Sequence, residues 1–304
     1  MLPFKLVYSE NYDLHLGDHV FPSSKYRLIH DQLLAEGIAS EEDFIVPEPA
    51  SDDDILLVHG QEWVRKLRCG HLTYADLLRL EIPYSREMVD AVWLSAGGST
   101  LAARHALMDG GAMNVGGGFH HAFPDHGEGF CAIHDVAVAI RCLQADAAIR
   151  RALVVDCDVH HGNGTAAIFS GDNSVFTVSL HQLNNYPSVK PPSDLDVDLA
   201  DGTGDDEYLR YLSDALDAAF RAGDYDLVCY VGGADPYRDD QLGGLGLTMS
   251  GLSHRDLMVF DAARHRHVPV MVSLAGGYAH RVADTVQIHV NTARALAESL
   301  KGGA

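Results

Sequence analysis

No stretch of about 18 consecutive apolar residues occurs in the chain, so nothing in it reads as a membrane-spanning helix. Cysteine is sparse: Cys69, Cys131, Cys142, Cys157 and Cys229 make an odd number, and no CxxC occurs. That argues against a disulfide framework and against a cysteine-built zinc ribbon, and predicts buried, reduced thiols. Basic residues are few, 22 Lys and Arg against 43 Asp and Glu, for a net charge of −21. A surface of that sign repels phosphate backbones, so no nucleic-acid partner is expected, whereas basic polypeptides or polyamines are steered inward. Internal repeats, low-complexity tracts and Pro/Ser-rich linkers are also missing, and Pro187–Pro192 reads as a surface loop. One domain over residues 1–304 is therefore expected. The opening MLPFKLVYSENYD has a single Lys and then turns acidic, unlike a secretory signal, which predicts a cytoplasmic protein.

What the chain does have is histidine, 18 in 304 residues, many beside Asp and Gly. It also alternates in pattern. Short, continuously apolar and β-branched runs at residues 152–158, 174–181, 226–232 and 268–274 have the character of strands covered on both faces of a parallel sheet. Helical spacing lies between them at 205–220 and 250–263, and again at 24–36, 85–108, 133–149 and 281–300, with Ser85 as an N-cap. A short strand at 112–115 runs into three glycines. Such βα alternation predicts an α/β fold with one mostly parallel central sheet flanked by helices.

Functional groups in such sheets collect beyond the carboxyl ends of the strands. The run at 152–158 ends in DCDVHHGNG, which spaces Asp156, Asp158 and His160 by two; if the extended geometry persists, all three project to one face. Another strand ends in GGAD, at Asp235. Two carboxylates and one imidazole (Asp158, His160, Asp235) supply the three protein ligands of a catalytic zinc site that keeps a fourth position open. The short strand opens GGGFHHA, where glycines permit close backbone approach and His120 and His121 stand side by side. Adjacent imidazoles there can ligate metal or serve as a general base oriented by a carboxylate or amide, and Asp156 and Asn163 are the nearest unspent polar groups in the motifs. The last strand ends in AGGY, placing Tyr278 where its hydroxyl can donate to a developing oxyanion.

Together these segments resemble the histone deacetylase family of the arginase–deacetylase fold. HVFPSSKYRLIHDQLLAEG (19–37), GGGFHHAFPDHGEGFCAIHDVAVA (116–139), VVDCDVHHGNGTA (154–166), GGADPYRDDQLGGLGLT (232–248) and SLAGGY (273–278) stand in the family's order, and VYSE lies near the start. The resemblance implies a sheet of about eight strands, with zinc on Asp158, His160 and Asp235. It implies His120 and His121 as the paired catalytic histidines, partnered by Asp156 and Asn163, with Tyr278 polarising the substrate carbonyl. It further implies a structural K+ or Na+ on Asp156, Asp158, His160, Ser179 and Leu180, and an acyl-lysine tunnel walled by Gly129, Phe130 and Tyr186. Asn163, together with the GTGDDEYL and DQLGGLGLT segments, is most like class IV and its bacterial homologues; His134 and His161 depart from the residues relatives commonly carry there.

The expected activity is zinc-dependent hydrolysis of a linear N-acyl amide, with N-ε-acyl-lysine of a peptide or protein as the first expected substrate. The rivals are an acetylpolyamine amidohydrolase, acting on a small acylated amine, and an arginase-like binuclear manganese hydrolase. The latter needs a second metal and leaves Tyr278 without a role. Acyl-chain length and oligomeric state are not encoded in these motifs.

Overall fold

In the computed structural model, which describes residues 1–302, eight strands form one sheet in which every pairing is parallel. In chain order the strands are β1 (Lys5–Val7), β2 (Phe44–Ile45), β3 (Gly111–Asn114), β4 (Ala152–Asp156), β5 (Val175–Gln182), β6 (Leu195–Leu199), β7 (Leu227–Val231) and β8 (Val270–Ser273). In space they run β2-β1-β3-β8-β7-β4-β5-β6. Ten helices connect them: α1 (Lys25–Ala35), α2 (Asp52–Leu56), α3 (Gln61–Cys69), α4 (Tyr74–Leu80), α5 (Arg86–Asp109), α6 (Asp135–Ala145), α7 (Asn163–Phe169), α8 (Asp205–Ala222), α9 (Met249–Arg264) and α10 (Val282–Lys301). Among the described residues no helix is long and apolar enough to cross a membrane.

The apolar runs are continuous because both faces of the sheet are covered. Leu153, Val155, Val228, Tyr230, Val270 and Val272 join a core with residues of α1, α8, α9 and α10. The alternating Ala152, Val154, Leu227, Cys229, Val231 and Met271 join a second core with α5, α6 and α7. As expected, Ser85 caps α5, its hydroxyl accepting from the Met88 N–H. The cysteines are unpaired, and four are buried as expected; the fifth, Cys69, is exposed. It sits at the last residue of α3, where the following Gly70 turns the chain left-handed and the side chain is left outside the core.

Register is what positions the site. Asn114 of β3 pairs with Ser273 of β8, Ser273 with Val231 of β7, and Val231 with Asp156 of β4. Four central strands therefore end on one row, and the four loops that follow open at the same level. The GTGDDEYL and DQLGGLGLT segments also meet: Asp205 accepts from the N–H and the hydroxyl of Thr248, at 2.8 and 2.7 Å.

Candidate active site

The β3 loop turns sharply at Gly118, whose φ of +79° is left-handed. A Cβ there would stand 2.7 Å from the Ala275 backbone, so only glycine lets this loop and the β8 loop lie against each other. Asp135, the first residue of α6, fixes the loop from below by accepting from the N–H groups of Gly118 and Phe119 and from the hydroxyls of Ser99 and Ser273. Above it stand the two imidazoles. His120 donates from Nδ1 to Asp156 Oδ2 at 2.6 Å, and His121 donates from Nδ1 to Asn163 Oδ1 at 2.7 Å.

The β4 loop reaches its geometry by a different route from the one expected. The strand stops at Asp156, so Asp158 and His160 are not aligned by extended alternation. Instead each carboxylate captures the backbone two residues on: Asp156 Oδ1 accepts from Asp158 N–H, and Asp158 Oδ1 from His160 N–H, at 3.1 and 2.9 Å. These successive turns deliver Asp158 and His160 to the same point as Asp235 from the β7 loop. One ligand atom from each of the three lies within 4.8 Å of the others. All three side chains are buried.

Three features show that this cluster fits a cation. Asp235 is anchored through Oδ1, which accepts from Val159 N–H at 2.9 Å, while its buried Oδ2 has no well-formed hydrogen bond among the described residues. Two carboxylates buried together repel unless positive charge lies between them. Accordingly burial, and next the Asp158 charge, push Asp235 up to about 7. Burial opposes a charge on His160, yet its contacts with Asp158 at 3.0 Å and Asp235 at 3.4 Å outweigh that and raise it to about 10. The imidazolium proton thus sits where a metal held by these residues would place its charge.

The other groups are set for proton and hydrogen-bond work. Burial disfavours charge on His120 as well, but Asp156 and Asp158 prevail and raise it to about 9. His121 is held well below the ordinary histidine range, first by burial and then by the charges of His120 and His160, so it is neutral with Nε2 free. Tyr278 is driven well above the ordinary phenol range by burial and by Asp235 and Asp158, so its hydroxyl stays protonated as a donor. His121, His160 and Tyr278 form the floor of a cavity of about 180 Å³ whose walls include Gly129, Phe130, Tyr186 and Leu242. The Tyr186 ring stands 5.1 Å from that of His121, edge to face. At Gly129, with φ +50°, a Cβ would lie 2.9 Å from both His121 and Tyr186 and close the channel. Asp156 and Ser179 are register partners on β4 and β5, which puts the residues implied for a monovalent cation side by side.

Two residues escaped the sequence reading. Glu128 accepts from Asn163 Nδ2 at 2.6 Å, so the amide is gripped at both ends; Oδ1, which also accepts from Gly164 N–H at 3.1 Å, must face His121. The only signal was its place beside Gly129 and Phe130. Lys25 is fully buried, donating to Ala275 O at 2.7 Å and thereby fixing the start of the AGGY loop; burial lowers it to about 8. His134 caps α6, accepting at Nδ1 from Ala137 N–H, and meets the Thr165 hydroxyl through Nε2 at 2.9 Å. Since Thr165 N–H donates to His120 O at 3.1 Å, His134 braces the loop that carries His120 and His121 without entering it.

The histone deacetylase domain family matches residues 19–293. The chain belongs to that family. An uncharacterised protein of Picosynechococcus is 39% identical over 287 residues, spanning 94% of this chain and 96% of its own. Histone deacetylase 2 of Arabidopsis thaliana is 31% identical over 93% of this chain and 77% of its own. The crystal structure of the HDA15 HD domain superposes with a TM-score of 0.80 at 26% identity, over 98% of this chain and 88% of that one. Membership makes the chain a hydrolase of the deacetylase and amidohydrolase kind, and the family's general dependence on metal agrees with the donor set described above.

Proposed function

We propose that the chain is a zinc-dependent deacylase of N-ε-acyl-lysine, with Asp158, His160 and Asp235 as the metal ligands. The observation that carries this reading is the unsatisfied Asp235 Oδ2, buried beside His160, which with His121 and Tyr278 lines the channel. Two carboxylates and an imidazole with an open position suit zinc. A zinc ion there supplies a Lewis acid that polarises the acyl carbonyl and makes water a stronger nucleophile. The Tyr278 hydroxyl donates to the carbonyl oxygen as negative charge grows on it. Neutral His121 takes a proton from the attacking water at Nε2 and passes it to the amine nitrogen as the carbon–nitrogen bond breaks. Asn163 holds the His121 tautomer, Glu128 holds Asn163, and Asp156 holds His120 beside the carboxylates. K+ or Na+ on Asp156, Asp158, His160, Ser179 and Leu180 would steady the same loops from beneath.

The channel favours a slender substrate. Its volume of about 180 Å³ is below the ~300–1,000 Å³ usual for small-molecule pockets, which suits a lysine stem and its acyl group. Glu81 stands in its lining and the net charge is −21, which together favour a cationic polypeptide or amine. The class IV-like assignment rests on Asn163 and on the paired 202–209 and 240–248 segments. An arginase-like binuclear reading is disfavoured because it leaves Tyr278, which lines the same channel as His121 and His160, without a role.

A panel of acetyl-lysine and myristoyl-lysine peptides and acetylputrescine tests the reading. Turnover of a lysine peptide with one catalytic zinc per chain, abolished in Asp235→Ala, is the expected result. Full activity in Asp235→Ala would overturn the metal assignment, and turnover of acetylputrescine alone would move the substrate to polyamines.

A further inference from the structure

A second group of metal-ligating side chains lies outside the catalytic channel. His161 and His181 are buried at 0% and 1% exposure, and each keeps a ring nitrogen, Nδ1 of His161 and Nε2 of His181, without a hydrogen-bond partner among the described residues. Buried imidazole nitrogens are ordinarily satisfied, so orphans on two contacting rings, whose centroids are 4.6 Å apart, call for a ligand. The carboxylates are close by. On the edge pair, Ser179 stands opposite Asp196 and His181 opposite Asp198, so by the two-residue period these four share one face. His161 Nε2 is 3.2 Å from Asp196 Oδ1, and His181 Nε2 is 3.1 Å from Asp198 Oδ1 but out of line for a hydrogen bond.

We propose that His161, His181 and Asp196 form a second metal site, for a divalent transition ion of the zinc type, that ties edge strand β6 to the loop carrying His160. One ligand atom from each lies within 4.8 Å of the others. Tetrahedral zinc, with bonds of about 2.0–2.1 Å, holds its donors roughly 3.3 Å apart, so closure takes a side-chain adjustment of about an ångström. The supporting shell is in place. Ser179 Oγ meets His181 Nδ1 at 3.0 Å, which directs Nε2 outward to the carboxylates, and Asp196 Oδ2 accepts from Ser193 N–H at 2.9 Å, which leaves Oδ1 for the metal. Two imidazoles with a carboxylate select zinc, nickel or copper over calcium or magnesium, which prefer oxygen alone. Asp198 or water completes the coordination.

Equilibrium dialysis of the full chain against buffered zinc, followed by metal analysis, tests this. The wild type binds two equivalents, Asp196→Asn and Asp235→Ala one each, and the double variant none. In Asp235→Ala loaded with Co2+, the visible absorption of a nitrogen–oxygen site disappears on adding His181→Gln. Asp196 is partly exposed, so Asp196→Asn keeps the fold, which circular dichroism checks. A single wild-type equivalent that vanishes in Asp235→Ala overturns the proposal. So does loss of two equivalents together in Asp235→Ala with none lost in Asp196→Asn, since both ions would then share the catalytic cluster. Failure of this second site leaves the catalytic assignment standing, because the two are read in different variants.

Discussion

Two histidine–aspartate clusters sit on neighbouring parts of the same sheet, and they differ in where their carboxylates lie. At the centre, Asp158 and Asp235 are both buried, and the strands around them are covered on both faces. At the edge, Asp196 keeps 29% and Asp198 54% of its side chain in solvent. Solvent can satisfy the edge carboxylates without an ion; it cannot reach the central ones. The central cluster is thus costly when empty and demands positive charge, whereas the edge cluster tolerates being empty and accepts an ion only for what the imidazoles gain. On the two readings proposed above, the same donor types, at different depth, would divide into a site committed to metal and a site that responds to how much metal is available.

The largest expected effect breaks the central cluster. Asp235→Ala removes a carboxylate of the proposed ligand set, and kcat/KM on an acyl-lysine peptide should fall by more than about 10³-fold, or over about 4 kcal/mol, with loss of the catalytic zinc by metal analysis. Retained zinc at full occupancy would show that Asp158 and His160 suffice. Next comes Tyr278→Phe, which leaves every ligand in place but removes the donor facing the carbonyl. Here kcat should drop by about 10²–10³-fold, the range for one oxyanion donor, with zinc content unchanged. If KM rises and kcat holds, the hydroxyl serves binding alone.

Glu128→Gln is a smaller break. The Asn163 amide loses its charged partner but keeps His121, and a supporting residue of this type costs about 10–100-fold. The loss should fall on kcat with KM little changed, in steady-state kinetics, because the carboxylate acts through Asn163 and not on substrate. A change confined to KM would place Glu128 at the channel wall instead.

How much of this was readable from the chain follows the same division between centre and edge. Strands β4, β5, β7 and β8 were legible because burial on both faces makes them continuously apolar, and the motifs at their ends carried Asp158, His160 and Asp235, which the fold brings together. Strand β6, LDVDL, went unread because one face is exposed and its Asp residues break the apolar run; β1 and β2, three and two residues long, are too short for any period. The convergence of Asp158 and His160 was expected from strand alternation, but the strand ends at Asp156 and side-chain-to-backbone turns do the work. Lys25 sits in an amphipathic helix, where a lysine reads as exposed until the fold shows it pointing at Ala275. Glu128 has no spacing relation to Asn163, 35 residues away, and only the folded loop brings them together.

The smallest expected effect sharpens the comparison at the edge. Zinc that binds only the folded chain stabilises it by RT ln(1 + [Zn]/Kd), about 1.4 kcal/mol at a free concentration ten times Kd. In a chain of this size that is roughly 2 °C in Tm. Thermal unfolding followed across a series of zinc buffers should therefore show two rises. The first, at low free zinc, belongs to the central cluster, where the ion also relieves the repulsion between Asp158 and Asp235 and so binds more tightly. The second, at higher free zinc, belongs to His161, His181 and Asp196, and is missing in Asp196→Asn while the first remains. A reversed order, with the Asp196-dependent rise coming first, would mean that burial of the central carboxylates limits the ion's entry more than their repulsion draws it in.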